Sequence, residues 1–400
     1  MPSRNGAHVF ETRPSEQQPL WADSLTGREV RRTLATAPPL VSPQEVAAAG
    51  RAVAAVAAGR ALLLQAGDCA ENLAECGPVH TAGKLAVLDR LAARMGEITG
   101  GPVVRVGRIA GQFAKPRSRP MEWHEGRELP AFRGQMINSP EPGAAARRHD
   151  ARRMLLAHEA SGRILSRLRL CRDLAEIASG STLHGPWASH ESLVLDYETP
   201  QVRIDPRTGL RYLSSTHYPW IGERTRRPDG AHVHLHASVS NPVGCKIGPS
   251  ARPEAVRELC GILDPQREPG RLTLIARMGH AGVEEALGPI AAAVRAAGHP
   301  VVWVCDPMHG NTVVTASGRK TRHVAHIVAE GVAFARVLAG YGLRPGGLHL
   351  EVADTGVTEC LGGGIGGEAE LEARYTTLCD PRLNPRQALD VVEKVMPAWN

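Results

Sequence analysis

Aromatic side chains make up only 4% of this 400-residue chain, and lysine is nearly absent. Five lysines (Lys84, Lys115, Lys246, Lys320 and Lys394) stand against 42 arginines. So few rings cannot build a base-stacking platform. The arginines are dispersed rather than gathered into arms, so the net charge of +6 does not point to nucleic acid. No apolar run approaches the roughly 18 residues that cross a bilayer, so no membrane association is expected. Met1-Pro2-Ser3-Arg4-Asn5-Gly6 lacks an apolar signal core, and the expected location is cytoplasmic. The eight cysteines include no Cys-x-x-Cys pair, which excludes a zinc ribbon. Without a secretory signal they do not read as a disulfide framework either. What remains is an ordinary globular composition, 42% hydrophobic and 22% charged. In so arginine-rich a chain, a retained lysine suggests a need for a compact, tunable charge.

Local signals then divide the chain. Ser42-Pro43-Gln44-Glu45 carries a capping serine, proline at the first helical position and glutamate at the third, opening a helix that stops at Gly59. Asn384-Pro385-Arg386-Gln387 opens the last helix, through about Val395. Between them, apolar runs alternate with Ala/Leu/Arg helices at 84–98, 253–263, 283–297 and 321–338. The runs predict strands at 61–65, 103–109, 232–239, 244–247, 272–277, 301–305 and 348–352, with 193–197 as the weakest. Strands apolar on both faces, alternating with helices, predict a parallel α/β sheet. About eight units fit, so the expected fold is a (β/α)8 TIM barrel over residues 59–400 with helical insertions. Residues 1–58 form an N-terminal extension expected to pack on the barrel or at an oligomer interface.

Active sites of such barrels lie where the C-terminal strand ends converge. The strand ends here carry two chemical kinds of residue. Cys69, His309, Glu351 and Asp380 offer sulfur, nitrogen and oxygen donors, a mixed set suited to Mn²⁺, Co²⁺, Fe²⁺ or Zn²⁺. Arg108, Lys115, Arg224, Lys246 and Arg277 are cations able to clamp phosphates or carboxylates. Metal and anion clamps at one mouth imply phosphorylated or carboxylated substrates.

Longer segments carry a resemblance. They are Asp68-Cys69-Ala70-Glu71, residues 108–118 (RIAGQFAKPRS), residues 220–226 (WIGERTR), residues 241–249 (NPVGCKIGP), Arg277-Met278-Gly279, residues 306–312 (DPMHGNT), residues 358–363 (TECLGG) and residues 379–384 (CDPRLN). In order and spacing the chain resembles type II 3-deoxy-D-arabino-heptulosonate 7-phosphate (DAHP) synthases, particularly short forms that serve secondary metabolism. The resemblance implies a transferase that joins phosphoenolpyruvate, erythrose 4-phosphate and water, giving DAHP and phosphate at the entry to the shikimate pathway. It implies Cys69, His309, Glu351 and Asp380 as ligands of a divalent metal, Mn²⁺ or Co²⁺ foremost, with Zn²⁺, Fe²⁺ or Cd²⁺ as alternatives. Arg108, Glu223, Arg224, Lys246 and Arg277 would hold phosphoenolpyruvate, and Lys115, Arg117 and Ser118 erythrose 4-phosphate. A homodimer or homotetramer is expected; nothing in the sequence points to a chorismate mutase partner.

The chemistry explains these residue types. Two anionic substrates repel each other, and separate clamps offset that while aligning the reacting carbons. Charge grows on the aldehyde oxygen, where Lys115 is the candidate proton donor. Glu223 is the candidate for handling water. An amino-DAHP synthase taking an imino-erythrose 4-phosphate would share the same metal and phosphoenolpyruvate residues. A non-catalytic homologue acting as a partner subunit should have lost a ligand or clamp, and none is missing. Gln135 stands where an acid is expected, and 103–200 and the loop 362–368 are compressed, which predicts weak feedback regulation. Cys379 precedes Asp380, and two readings of it stand side by side: a buried hydrophobe, or the partner of Cys69 in a disulfide formed when metal is stripped.

Overall fold

The computed structural model describes residues 12–399 apart from 125, 182 and 184; the first eleven residues of the predicted extension lie outside these. Eight parallel strands form one nearly closed sheet. They are β1 (Leu62–Gly67), β2 (Val103–Arg108), β3 (Trp187–Ser189), β4 (Trp220–Ile221), β5 (Val243–Ile247), β6 (Leu272–Ala276), β7 (Val302–Cys305) and β8 (Gly347–Glu351). The order is β3-β2-β1-β8-β7-β6-β5-β4, and the remaining seam between β3 and β4 is bridged at Glu191 and Trp220. The expected barrel is present. Around it run α1 (Ser24–Thr36), α2 (Pro43–Ala57), α3 (Pro78–Thr99), α4 (Arg153–Ser179), α5 (Ala231–Ala237), α6 (Pro253–Leu263), α7 (Val283–Ala296), α8 (Val324–Gly340) and α9 (Pro385–Val395).

The capping sequences do what their chemistry dictates. Ser42 and Asn384 each accept from the third helical amide, while Glu45 and Gln387 reach back to the cap amide. Helix α2 ends at Ala57, and the chain turns away at Gly59, whose φ of 71° suits a residue without Cβ. Its Ala49, Ala52, Val53 and Val56 pack into one cluster with Leu63, Val104, Trp187, Trp220, Ile275, Val302 and Val304. Helix α2 thus plugs the barrel end opposite the mouth. Above that apolar floor the interior turns polar. Gln65 donates to Ser189 Oγ at 3.0 Å, and its Oε1 lies 2.6 Å from His349 Nδ1.

Three sequence expectations fail, each for a visible reason. Residues 232–239, expected as a strand, form α5 instead. There Ala231, His232, Val233, Leu235 and His236 are all buried, so no face alternates. Residues 193–197 are not the third strand, because Leu195–Glu198 is a helical turn; the strand is Trp187–Ser189. That strand and Trp220–Ile221 span three and two residues, too short for a hydrophobic period to register. Helix α8 starts at Val324 rather than 321, because Lys320–Arg322 pairs with Thr312–Val314 as a hairpin.

Candidate active site

Strand register builds the mouth. Gly67 of β1 pairs with Glu351 of β8 on one side and Arg108 of β2 on the other, setting three strand ends at one level. A Cβ on Gly67, whose φ is 149°, would lie 2.8 Å from the Arg108 carbonyl oxygen, so this approach requires glycine. Across the barrel, Ala276 of β6 pairs with Ile247 of β5 and Cys305 of β7, which places Lys246, Arg277 and Asp306 together.

Of the four expected metal ligands, Cys69, Glu351 and Asp380 present Sγ and carboxylate oxygens all within 4.8 Å of one another. His309 joins them with Nε2 3.0 Å from Glu351 Oε1. Its Nδ1 lies 2.8 Å from Asp306 Oδ2, the carboxylate–histidine arrangement that orients metal-binding imidazoles. Asp306 and His349, with His309, form a second group of donor atoms. Cys69 Sγ accepts the Asp380 amide at 3.1 Å and is hydrogen-bonded to the Cys379 thiol. A mixed S/N/O donor set of this kind, with Cys69 and Glu351 buried and His309 and Asp380 half-buried, fits a borderline divalent ion.

Cations crowd the same centre. Glu351, fully buried, accepts from Arg108 at 2.9 Å and Arg322 at 2.7 Å and lies 3.3 Å from Lys115 Nζ. Asp380 lies 3.4 Å from Lys115 and 2.9 Å from Lys320. Lys246 donates to Asp306 at 2.9 Å and stands 3.3 Å from His309 Nδ1. Burial alone would raise the Glu351 carboxyl, but His309, Lys115, Arg322 and Arg108 hold it well below its ordinary range. Burial likewise opposes ionisation of Cys69, yet the Cys379 hydrogen bond and Lys115 pull its thiol down. Lys115, despite burial, is raised by Glu351, Cys69 and Asp380. Lys246 goes the other way: burial lowers it to about 8.

The remaining expected residues form an outer rim. Arg277 donates to the His309 carbonyl at 2.6 Å, and a Cβ on Gly248 would sit between its guanidinium and the Glu223 carboxylate. Glu223 pairs with Arg226 at 2.7 Å. Arg224 donates to Ser118 Oγ at 2.7 Å, linking the two expected substrate sides. Arg117 instead pairs with Glu122 at 2.7 Å, on the hairpin Met121–His124/Arg127–Pro130. Gln135 accepts the Leu73 amide at 2.6 Å and donates to Asn72 at 3.2 Å, a link between two loops.

Sequence reasoning missed the residues that hold this constellation. Three buried glutamates splint the mouth loops from beneath. Glu71 accepts the amides of Ala110, Gly111 and Gln112, and Glu330 those of Met278 and Gly279 together with the Asn311 side chain. Glu359 accepts the amides of Thr376 and Arg382 and the Arg382 guanidinium. Arg322 carries no local signal, and Lys320 only its rarity as a lysine. His349 did carry one, because it lies two residues before Glu351 on the same strand face.

Known proteins resemble this chain along nearly its whole length. The family model described as the class-II DAHP synthetase family matches residues 6–184 and 179–396. A Pseudomonas fluorescens protein named probable phospho-2-dehydro-3-deoxyheptonate aldolase is 46% identical over 94% of this chain and 93% of its own. The Mycolicibacterium smegmatis phospho-2-dehydro-3-deoxyheptonate aldolase AroG is 38% identical over 95% of this chain and 91% of its own. That alignment runs over 429 positions, more than the 400 residues present here. A solved phospho-2-dehydro-3-deoxyheptonate aldolase from Francisella tularensis superimposes with a TM-score of 0.55 at 12% identity. It covers 96% of this chain and 98% of that one, a likeness of fold alone. Matched over nearly its whole length and up to 46% identical to named relatives, the chain is an enzyme and belongs to the class-II DAHP synthetase family.

Proposed function

We propose that this enzyme condenses phosphoenolpyruvate with erythrose 4-phosphate and water, releasing phosphate and giving DAHP. One observation carries the reading: buried Cys69 and Glu351 meet half-buried His309 and Asp380 at a centre that Arg108, Lys115, Lys246 and Arg322 surround. Two phosphorylated substrates need that much positive charge, and an aldehyde acceptor needs a Lewis acid beside it. Cys69, His309, Glu351 and Asp380 would hold the divalent metal, Mn²⁺ or Co²⁺ foremost, which polarises the aldehyde when bound.

The chain's own residues perform the rest. Arg108, Lys246 and Arg277 hold the phosphoenolpyruvate anion, with Glu223 and Arg224 at its rim. Lys115, Arg117 and Ser118 hold erythrose 4-phosphate, and the Arg224–Ser118 hydrogen bond ties the two sides. Lys115, 3.3 Å from Glu351 and 3.4 Å from Asp380, stands beside the metal ligands, where it serves the growing alkoxide as a charge and as the proton donor. The α2 plug closes the far end of the barrel, leaving the mouth as the route for water.

The test is phosphate release from phosphoenolpyruvate, with and without erythrose 4-phosphate, in Mn²⁺ or in excess EDTA. Release that requires both erythrose 4-phosphate and metal is expected. Full turnover in EDTA opposes the assignment. His309→Ala should lower the rate with little change in melting, since His309 stays partly exposed.

A further inference from the structure

Helix α4 carries an apolar stripe that the described residues of its own chain leave uncovered. One face is committed: Ala157, Ala160, Ile164, Leu165 and Leu168 are buried in the cluster that includes Val30 and Leu34 of α1. Arg169 and Arg172, beside that face, pair with Glu45 of α2. On the other side, Leu156 and Leu170 are each 51% exposed, Leu174 is 57% and Ile177 82%. Leu170, Leu174 and Ile177 follow at spacings of four and three, one continuous ridge on a helix.

Charge along the ridge is split by sign. Arg163 and Arg167 flank it on the N-terminal side of Leu170; Asp173 and Glu176 flank it on the C-terminal side. All four are exposed, and Arg167, Asp173 and Glu176 have no ion-pair partner among the described residues. From 163 to 177 the ridge runs about 21 Å at 1.5 Å per residue. A ridge basic at one end and acidic at the other does not match itself in parallel. Turned antiparallel about a two-fold axis near Leu170–Leu174, it does, each basic half facing an acidic half while the leucines meet at the centre. Isologous contacts require this self-complementarity, and an apolar centre with a charged rim is how interfaces are built. A membrane or a nucleic acid would instead call for one sign of charge along the whole face.

We propose that α4 is a dimerisation helix, pairing antiparallel with α4 of a second copy of this chain. The pairing sets Leu170 against the partner subunit's Leu174, and Arg167 within reach of the partner subunit's Asp173 and Glu176. None of these residues belongs to the mouth, so the inference stands apart from the proposed reaction.

Two charge-reversed full-length chains test it. R163E with R167E makes the ridge acidic throughout, and D173R with E176R makes it basic throughout. By light scattering after size exclusion, each alone should run at half the wild-type mass, while an equimolar mixture should recover the full mass. Leu174→Asp, a change at an exposed position, should also halve the mass without lowering the melting temperature. Wild-type mass in either reversed chain, or a mixture that stays at half mass while both chains melt like wild type, would overturn the proposal. So would a monomeric wild type.

Discussion

Glu71→Gln isolates what a buried splint does for the mouth. The Glu71 side chain is sealed from solvent, and its oxygens accept Ala110 N at 3.1 Å, Gly111 N at 2.9 Å and Gln112 N at 2.8 Å. These bonds hold Ala110 at a φ of 65°, a left-handed conformation that costs a non-glycine residue about 1–2 kcal/mol. Glutamine keeps the shape but turns one oxygen into an NH₂ group. With its oxygen kept toward Gly111 and Gln112, that NH₂ faces the Ala110 amide, donor against donor. Leaving a buried donor unsatisfied costs about 1–3 kcal/mol, the loss expected in urea unfolding. Ala110→Gly added to this variant relieves about 1–2 kcal/mol of strain but loses about 0.5–1 kcal/mol to glycine's entropy. A small net recovery is the result. The splinted loop runs from Arg108 to Lys115, so the KM for phosphoenolpyruvate should rise in Glu71→Gln and fall back in part in the double variant. Burial pushes the Glu71 carboxyl upward against Lys84 and the loop amides. A Gln variant as stable as wild type would mean that the acid is carried neutral, and the splint argument would be wrong.

Other expectations are simpler to state. Arg277→Lys should raise the KM for phosphoenolpyruvate, because an ammonium cannot both hold the His309 carbonyl and clamp an anion bidentately; an unchanged KM would remove Arg277 from the clamp. The Glu45 carboxyl resists burial and is pulled down by His217, Arg169 and the Ser42 amide. Its stabilisation is therefore complete above the unfolded carboxylate value of about 4.3 and is lost as pH falls toward the depressed folded one. Glu45→Gln should flatten the acid limb of a stability–pH curve, and an unaltered limb would refute this. Stripped of metal and exposed to air, Cys69 and Cys379 should each give up a proton and an electron to oxygen and form a disulfide, visible by peptide mass spectrometry. Full reactivation by Mn²⁺ without reductant, with both thiols free, would count against that latch.

Legibility in the sequence followed the range of the interactions. Runs such as Leu272–Ala276 and Gly347–Glu351 are long enough to show a strand, and capping at Ser42 and Asn384 is written within four residues. Trp187–Ser189 and Trp220–Ile221 are strands only because neighbouring backbones pair with them. The site divides the same way. Cys69, Lys246, His309 and Glu351 stand at strand ends, where position alone makes a side chain a candidate. Arg322 reaches Glu351 only because the Thr312–Val314/Lys320–Arg322 hairpin folds back over the mouth. Glu71, Glu330 and Glu359 act through backbone amides, whose positions no residue pattern announces.

The α2 plug also sets a timetable for synthesis. Helix α2 is made early and, with its capping box closed, can form as soon as it leaves the ribosome. Its floor contacts include Ile275, Val302 and Val304, and the last of these is translated about 250 residues after Val53, some 12–50 s later at ordinary elongation rates. Through that interval the Ala/Val stripe of α2 has only part of its seat, offered first by β1 and β2 and then by Trp187 and Trp220. Codons that slow the ribosome before β7 would lengthen the exposure, and a chaperone that binds short apolar helices would find its longest opportunity there.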